Sequence, residues 1–381
     1  MSAVTRNDEC NGEKVLFLAL ELSDKTWKVG TTVSPAQKAR TKNVRGGDVD
    51  GLRMEISRAK KRFGLTEETA VVSCYEAGRE GFWIHRWLES EGVINAVVYP
   101  ASIDVNRRKR RAKTDRLDVF KLLSNLMRWW AGEKKVWSVV VVPSVRDEDA
   151  RHFHRERETL KKERTTHINR IKCLLKLHGI CLKRIEGDFA KQLGEMRFSD
   201  GNPLPPQIRQ RLEREYQRLE YVEEQIRLLA RQRGEALRRS TDGRIAKVRK
   251  LTQLRGTGEI GAWVVVMEVL GWRVFNNRRQ LGSYIGLTGT PSDSGDTNRE
   301  QGIDKAGNAL VRKVLIEMAW NWVRWQPDSE ITKWFNRRFG GAGKRHRRIG
   351  IVGVARRLII AYWRYLEQDV EPNGANIVKA T

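Results

Sequence analysis

Glu21, Glu76, Asp115 and Asp118 have the residue types and the placement to hold a hard cation. Glu21 lies at the end of the apolar run VLFLALEL, and Glu76 at the end of AVVSCYEA. Asp115 and Asp118 fall in KTDRLD, where i, i+3 spacing sets both carboxylates on one face of a helix. Strand ends in an α/β sheet and a helix start can converge on one crevice. Carboxylates gathered there repel one another unless cations offset them. Oxygen ligands of this kind suit Mg2+, and paired Mg2+ ions serve phosphodiester chemistry. Each residue also has an ordinary structural reading; Asp115 near a helix N-terminus is favourable by dipole alone. Asp24 is a weaker substitute, because three strand positions beyond Glu21 it would point the other way.

Hydroxyls supply a second set. The stretch TPSDSGDTNRE at 290–300 carries Thr290, Ser292, Ser294 and Thr297 between proline and glycine, and its composition reads as a solvated loop. A serine hydroxyl is a poor nucleophile until a base or metal activates it. Gly295 after Ser294 would let a phosphate approach closely. Ser292 and Tyr284 are rivals by type. Gly256, Gly258 and Gly261 spell G-x-G-x-x-G, but no strand precedes them and no βαβ unit surrounds them. A phosphate-contacting turn between two helices fits better. RRFGGAGKRHRR at 337–348 reads as a flexible basic arm. Cys173, His178 and Cys181 lack a fourth ligand and fit no zinc spacing, so the thiols are expected reduced and mostly packed.

The whole composition agrees with a phosphate partner. Lys and Arg number 73 against 47 Asp and Glu, a net charge of +26 over 381 residues. Such an excess points to nucleic acid or an acidic membrane surface. The longest apolar runs, at 136–142 and 262–272, fall well short of the roughly 20 residues that span a bilayer. The first residues lack the apolar stretch of a signal peptide, so a cytoplasmic protein is expected. Most of the 13 tryptophans, Trp320 and Trp363 among them, are expected in the core.

The elements that must position these groups follow from periodicity. Strands are expected at 15–22, 26–32, 38–44, 70–77 and 95–100, and helices at 49–63, 81–92 and 113–130. The order β-β-β-α-β-α-β-α predicts a mixed sheet covered by helices. From 146 a highly charged helix follows, then a break at 198–207 and a long helix over 206–239. In the long helix Ile208, Leu212, Leu219, Val222, Ile226 and Leu229 form a heptad seam with Glu215 in the missing place. A helical hairpin or a dimerising coiled coil would account for it. Two more apolar helices are expected at 307–325 and 349–367.

LALELSDKTWKVG, YEAGREGFWIHRWL and KTDRLDVFKL resemble the three acidic blocks of the DEDD-type insertion-sequence transposases, the IS-one-ten and IS-eleven-eleven group. The stretch from LTQLRGTGEIGAW to VRKVLIEMAW is similar to the second signature of that family, with SG followed by GI-K-GN. The resemblance covers most of residues 14–367. It implies an α/β plus α protein. An N-terminal RNase H-like (RuvC-type) domain would occupy 14–145 and a helical coiled-coil region 146–245. A mainly α-helical C-terminal transposase domain with a serine loop would follow at 246–367, then a tail at 368–381.

The resemblance places Glu21 where the family most often has Asp, and matches Glu76, Asp115 and Asp118 to its other acidic positions as Mg2+ ligands. It selects Ser294 as the covalent nucleophile, forming a phosphoserine link to DNA. It further implies a structured noncoding guide RNA, double-stranded donor and target DNA, assembly from dimer to tetramer, and nucleoid association when bound. The dimer would let a carboxylate domain of one subunit meet a serine loop of another. A metal-dependent junction nuclease using water, and a noncatalytic nucleic-acid-binding protein, are the alternatives.

Overall fold

The computed structural model describes residues 14–78, 81–103, 115–133, 135–185, 188–198, 200–294, 297–305 and 307–378. The side chains of Asp115, Arg116 and residues 290–301 lie outside the described residues. Two compact units divide the chain, residues 1–142 and 143–381.

The first unit is built on five strands: β1 (Leu16–Glu21), β2 (Thr26–Thr32), β3 (Arg40–Arg45), β4 (Val71–Glu76) and β5 (Ile94–Val98). Their spatial order is β3-β2-β1-β4-β5. The first three are antiparallel neighbours, while β1, β4 and β5 run parallel. Helices α1 (Val49–Arg62) and α2 (Trp83–Ser90) make the two crossovers, and α3 (Asp115–Trp130) follows.

β1 shows why the sheet is central. Its period of two sends Phe17 and Ala19 into one core and Leu16, Leu18 and Leu20 into another. Val119, Leu122, Leu123 and Leu126 of α3 cover the first face; Leu52 and Ala59 of α1 and Ile84 and Leu88 of α2 cover the second. Each fully buried leucine contributes about 1.5–3 kcal/mol. Gly30 lets α3 lie this close, since a Cβ there would stand 2.2 Å from Val119 Cγ1.

The second unit begins with α4 (Val145–Asp149) and α5 (His152–Lys176), then α6 (Phe189–Glu195) and α7 (Pro206–Arg239). Arg164 pairs with Glu223 and Arg170 with Glu215, so α5 and α7 run antiparallel as a hairpin within one chain. The seam residues Leu212, Leu219, Val222 and Leu229 are buried. Glu215 is buried among them and accepts hydrogen bonds from His167 (2.7 Å), Arg170 (3.2 Å) and Arg218 (2.9 Å). Burial alone would raise its carboxyl; these donors hold it below the usual range. α6 lies between the charged helix and the expected break at 198–207, where no helix was expected: Asp188 caps it, and Phe189 and Leu193 pack against α7. The helix is too short for its period to show.

The remaining helices enclose one core: α8 (Gly243–Thr252), α9 (Glu259–Val265) with a π turn over Val266–Leu270, α10 (Arg278–Ile285), α11 (Ala309–Trp325), α12 (Glu330–Phe339) and α13 (Lys344–Glu367). Between α10 and α11 lies a two-stranded hairpin, β6 (Gly289–Ser294) and β7 (Thr297–Ile303). The predicted basic arm is corrected: 337–339 end α12 and 344–348 begin α13. Basic residues oppose a helix N-terminus by dipole, but buried Ile351, Val354, Leu358 and Tyr362 carry the helix back to them. Trp320 is also corrected, being 39% exposed, while Trp363 packs partly buried against the core. Of the described cysteines, Cys74 is buried, but Cys173 and Cys181 are exposed rather than packed. The expected tail is tied down, with Val378 N donating to Gln253 O and Arg255 N to Asn376 O. Among the described residues no helix is long and apolar enough to cross a membrane.

Candidate functional site

Glu21 and Glu76 leave the sheet side by side. β1 and β4 are parallel with Leu20 opposite Tyr75, so the next residue of each strand is one of the two carboxylates. Both are half-buried and line a cleft of about 500 Å3, together with Asp24, Lys25 and Gly78. Asp24 departs from expectation. β1 ends at Glu21, so strand alternation does not govern Asp24, and the turn into β2 brings it to the same cleft.

Asp118 is half-buried in the first turn of α3. Its neighbour Val119 sits over Gly30, which pairs with Ala19, two residues before Glu21. The start of α3 is thereby fixed over the β1 and β2 end of the sheet. The Asp115 backbone opens that helix; its side chain lies outside the described residues. Among the described residues, no three ligand-type side chains converge as a metal set. The chemistry of the donors nonetheless suits Mg2+: Glu21 and Glu76 present carboxylate oxygens at the ends of two adjacent strands.

Ser294 ends β6 and pairs with Thr297 of β7; Gly295 and Asp296 between them lie outside the described residues. The expected loop is therefore mostly ladder. Small hydroxyl residues pair through their backbones as any others do, and the register shift between Gly289 and Pro291 accommodates the proline. Ser292 pairs with Arg299 farther from the turn. Tyr284 belongs to α10, with the Arg273 guanidinium 4.1 Å over its ring and Phe275 at 5.6 Å, a packed structural role.

The base of the hairpin is held firmly. Asp304 N donates to Thr288 O (2.9 Å) and Lys305 N to Gly286 O (3.2 Å). Gly307 passes so near α10 that a Cβ would stand 2.2 Å from Tyr284 O. Asn308 caps α11 and donates to Glu268 Oε2 (2.9 Å). Glu268, buried in the π turn, also accepts from His154 Nε2 (2.7 Å) and from Arg155 Nε (2.8 Å) and Nη2 (2.9 Å) of α5. Sequence reasoning missed this network. The signal was a single carboxylate in the apolar run AWVVVMEVLGW, which needs a partner when buried.

Burial would raise the Glu268 carboxyl, but the His154 and Arg155 hydrogen bonds outweigh it and bring it down to about 2 from 4.5. A depressed folded-state value means stability present above pH 4.5 and lost as pH falls toward 2. Glu268→Gln should flatten the melting-temperature profile across that window. Glu268→Ala takes the shared acceptor from His154, Arg155 and Asn308 and should cost about 1–3 kcal/mol in chemical denaturation.

Comparison with known proteins decides the family. The model of the transposase IS116/IS110/IS902 family matches residues 248–332. Two Sinorhizobium fredii proteins named as putative transposases are similar across much of the chain. One, y4rJ, is 37% identical over 375 residues, 94% of each chain. The other, y4qE, is 31% identical over 307 residues, 77% of this chain and 70% of its own. This chain belongs to the IS110 family of insertion-sequence transposases. The transposase for insertion sequence element IS1111A of Coxiella burnetii is 27% identical over 176 residues, 46% of this chain and 47% of its own. The matched segment of this transposase holds the π turn, the β6–β7 hairpin with Ser294, and Asn308. A transposase processes DNA, and a net charge of +26 suits that substrate.

Proposed function

We propose that this transposase is a DNA recombinase guided by a structured noncoding RNA, acting by Mg2+-dependent strand cleavage and exchange through a covalent phosphoserine. The observation that carries the reading is the pair Glu21 and Glu76 at the ends of adjacent parallel strands, lining one cleft. The strand order β3-β2-β1-β4-β5, with antiparallel β1 to β3 and parallel β1, β4 and β5, supports an RNase H-like, RuvC-type domain.

Glu21, Glu76, Asp115 and Asp118 would hold Mg2+. When bound, the ion stabilises charge on a phosphate undergoing displacement. Glu21 keeps the charge and oxygen chemistry of the shorter aspartate at one added methylene. Ser294 attacks phosphorus through Oγ, an Oγ–P bond forms, and the bond to the leaving strand oxygen breaks. The serine proton ends on that leaving oxygen. The stored phosphodiester lets a second strand's hydroxyl reverse the step, so rejoining needs no outside energy source. The backbone ladder of β6 and β7 and the Asn308–Glu268 anchor hold the base of the segment that carries Ser294. The helical hairpin of α5 and α7 would serve assembly from dimer to tetramer.

Sequencing the RNA that co-purifies with the protein tests the guided reading. The expected result is a discrete structured species encoded beside the gene. A random sample of cellular RNA would remove the guide from the proposal.

A further inference from the structure

α10, α12 and α13 enclose a cleft of about 540 Å3 in the second unit. Its eight lining residues include Arg278, Arg279, Arg338, Arg356 and Arg357, and none is acidic. Among the described residues none of these five arginines has a carboxylate within ion-pair distance. Other arginines of the unit have carboxylate partners, Arg155 with Glu268, Arg164 with Glu223 and Arg244 with Asp242 among them. Five like charges around one space repel one another, and a polyanion relieves that repulsion.

The cleft is built around a side chain that orders it. Trp334 lies against α13 at Gly353, where a Cβ would stand 2.9 Å from its ring. The Arg357 guanidinium covers that ring at 4.1 Å. The covered ring is not presented for stacking on a base, which argues for recognition of backbone rather than sequence. Guanidinium groups are also suited to phosphate, since their planar fork can donate two hydrogen bonds to it. The space is open, and past Arg278 and Arg357 it borders a second cleft of about 340 Å3 lined by Arg364 but also by Glu330 and Glu371, so the purely basic lining is confined to the first cleft. Five guanidinium groups around one open space fit several phosphates of a chain better than a lone anion.

We propose that this arginine cleft grips the phosphate backbone of duplex DNA, independently of sequence, with residues other than the carboxylates and Ser294. The choice of DNA rests on the chain being a transposase; the grip itself rests on the arginines. The test compares Arg338→Gln/Arg356→Gln/Arg357→Gln with Arg227→Gln/Arg231→Gln/Arg239→Gln, which removes the same charge from α7. Affinity is measured by fluorescence anisotropy for two unrelated DNA duplexes and one RNA duplex over a salt series.

The cleft variant should bind both DNA duplexes about tenfold or more weakly, and equally so. The slope of log affinity against log salt should fall by about 0.9 for each phosphate no longer neutralised, so by about 3. The α7 variant should keep most of both. Equal losses in the two variants, an unchanged slope, or a larger loss on RNA than on DNA would overturn the proposal. Should the cleft variant fail to fold, the natural protein carries the test. Duplex DNA should shield Arg356 and Arg357 from an arginine-specific dicarbonyl reagent, read by mass spectrometry, and no shielding would overturn it. A Ser294→Ala protein should keep the full salt slope, so failure of the serine chemistry and failure of the grip read out separately.

Discussion

Ser294→Ala should abolish strand exchange and the covalent protein–DNA adduct together, lowering activity by roughly ten-thousand-fold or more. Removing Oγ removes the atom that would bond phosphorus. Thr297 opposes Ser294 but belongs to the return strand, and Ser292 pairs with Arg299 deeper in the ladder. Ser292→Ala should therefore stay active. DNA affinity should hold in both variants, because the charge of +26 is untouched. The assay is recombination between donor and target duplexes, with a denaturing gel for the adduct. Retained recombination in the Ser294→Ala protein sinks the nucleophile assignment. Retained cleavage with no adduct from either protein would favour a nuclease that uses water.

Glu76→Gln should lower cleavage by about a thousandfold or more while leaving the fold intact. The substitution keeps the shape of the side chain and removes its charge, so it loses the hard ligand and little packing. Glu76 shares its cleft with Glu21 and Asp24. DNA affinity should hold, because the overall positive charge is kept. Asp118→Asn should behave alike. Glu21→Asp should retain activity within about tenfold of wild type, whereas Glu21→Gln should match Glu76→Gln. Asp24→Asn divides the turn position from the strand position in the same cleft, and full activity there would leave Glu21 as the ligand. Full cleavage by both Glu76→Gln and Asp118→Asn would remove these carboxylates from the catalytic assignment, whereas no cleavage by the natural protein would return it to the noncatalytic, nucleic-acid-binding reading.

The first unit was legible from local pattern because its strands and helices have strong, uninterrupted periods. VLFLALEL alternates between two cores, and the amphipathic stretch at 113–130 faces only one of them. The errors have physical sources of three kinds. α6 and the β6–β7 hairpin are short and polar, so cooperative pairing and neighbouring helices decide them rather than propensity. The start of α13 defies its own charge pattern because the buried residues after it dominate. Asp24 was misjudged because strand alternation was extended past the end of a strand.

By itself the sequence determined which residue types are available for phosphodiester chemistry, which faces of the regular elements are apolar, and the large positive charge. These follow from composition and from periods of two and 3.6 residues, which are local properties. Only the tertiary structure decided which groups stand together. Parallel pairing of β1 with β4 brings Glu21 beside Glu76 across a separation in sequence that no local pattern encodes. Packing of α5 on the π turn joins His154 to Glu268, and Glu268 to Asn308. The five arginines of α10, α12 and α13 meet for the same reason. Long-range contacts are set by burying apolar surface between whole elements, and charged side chains are carried along to wherever that packing leaves them.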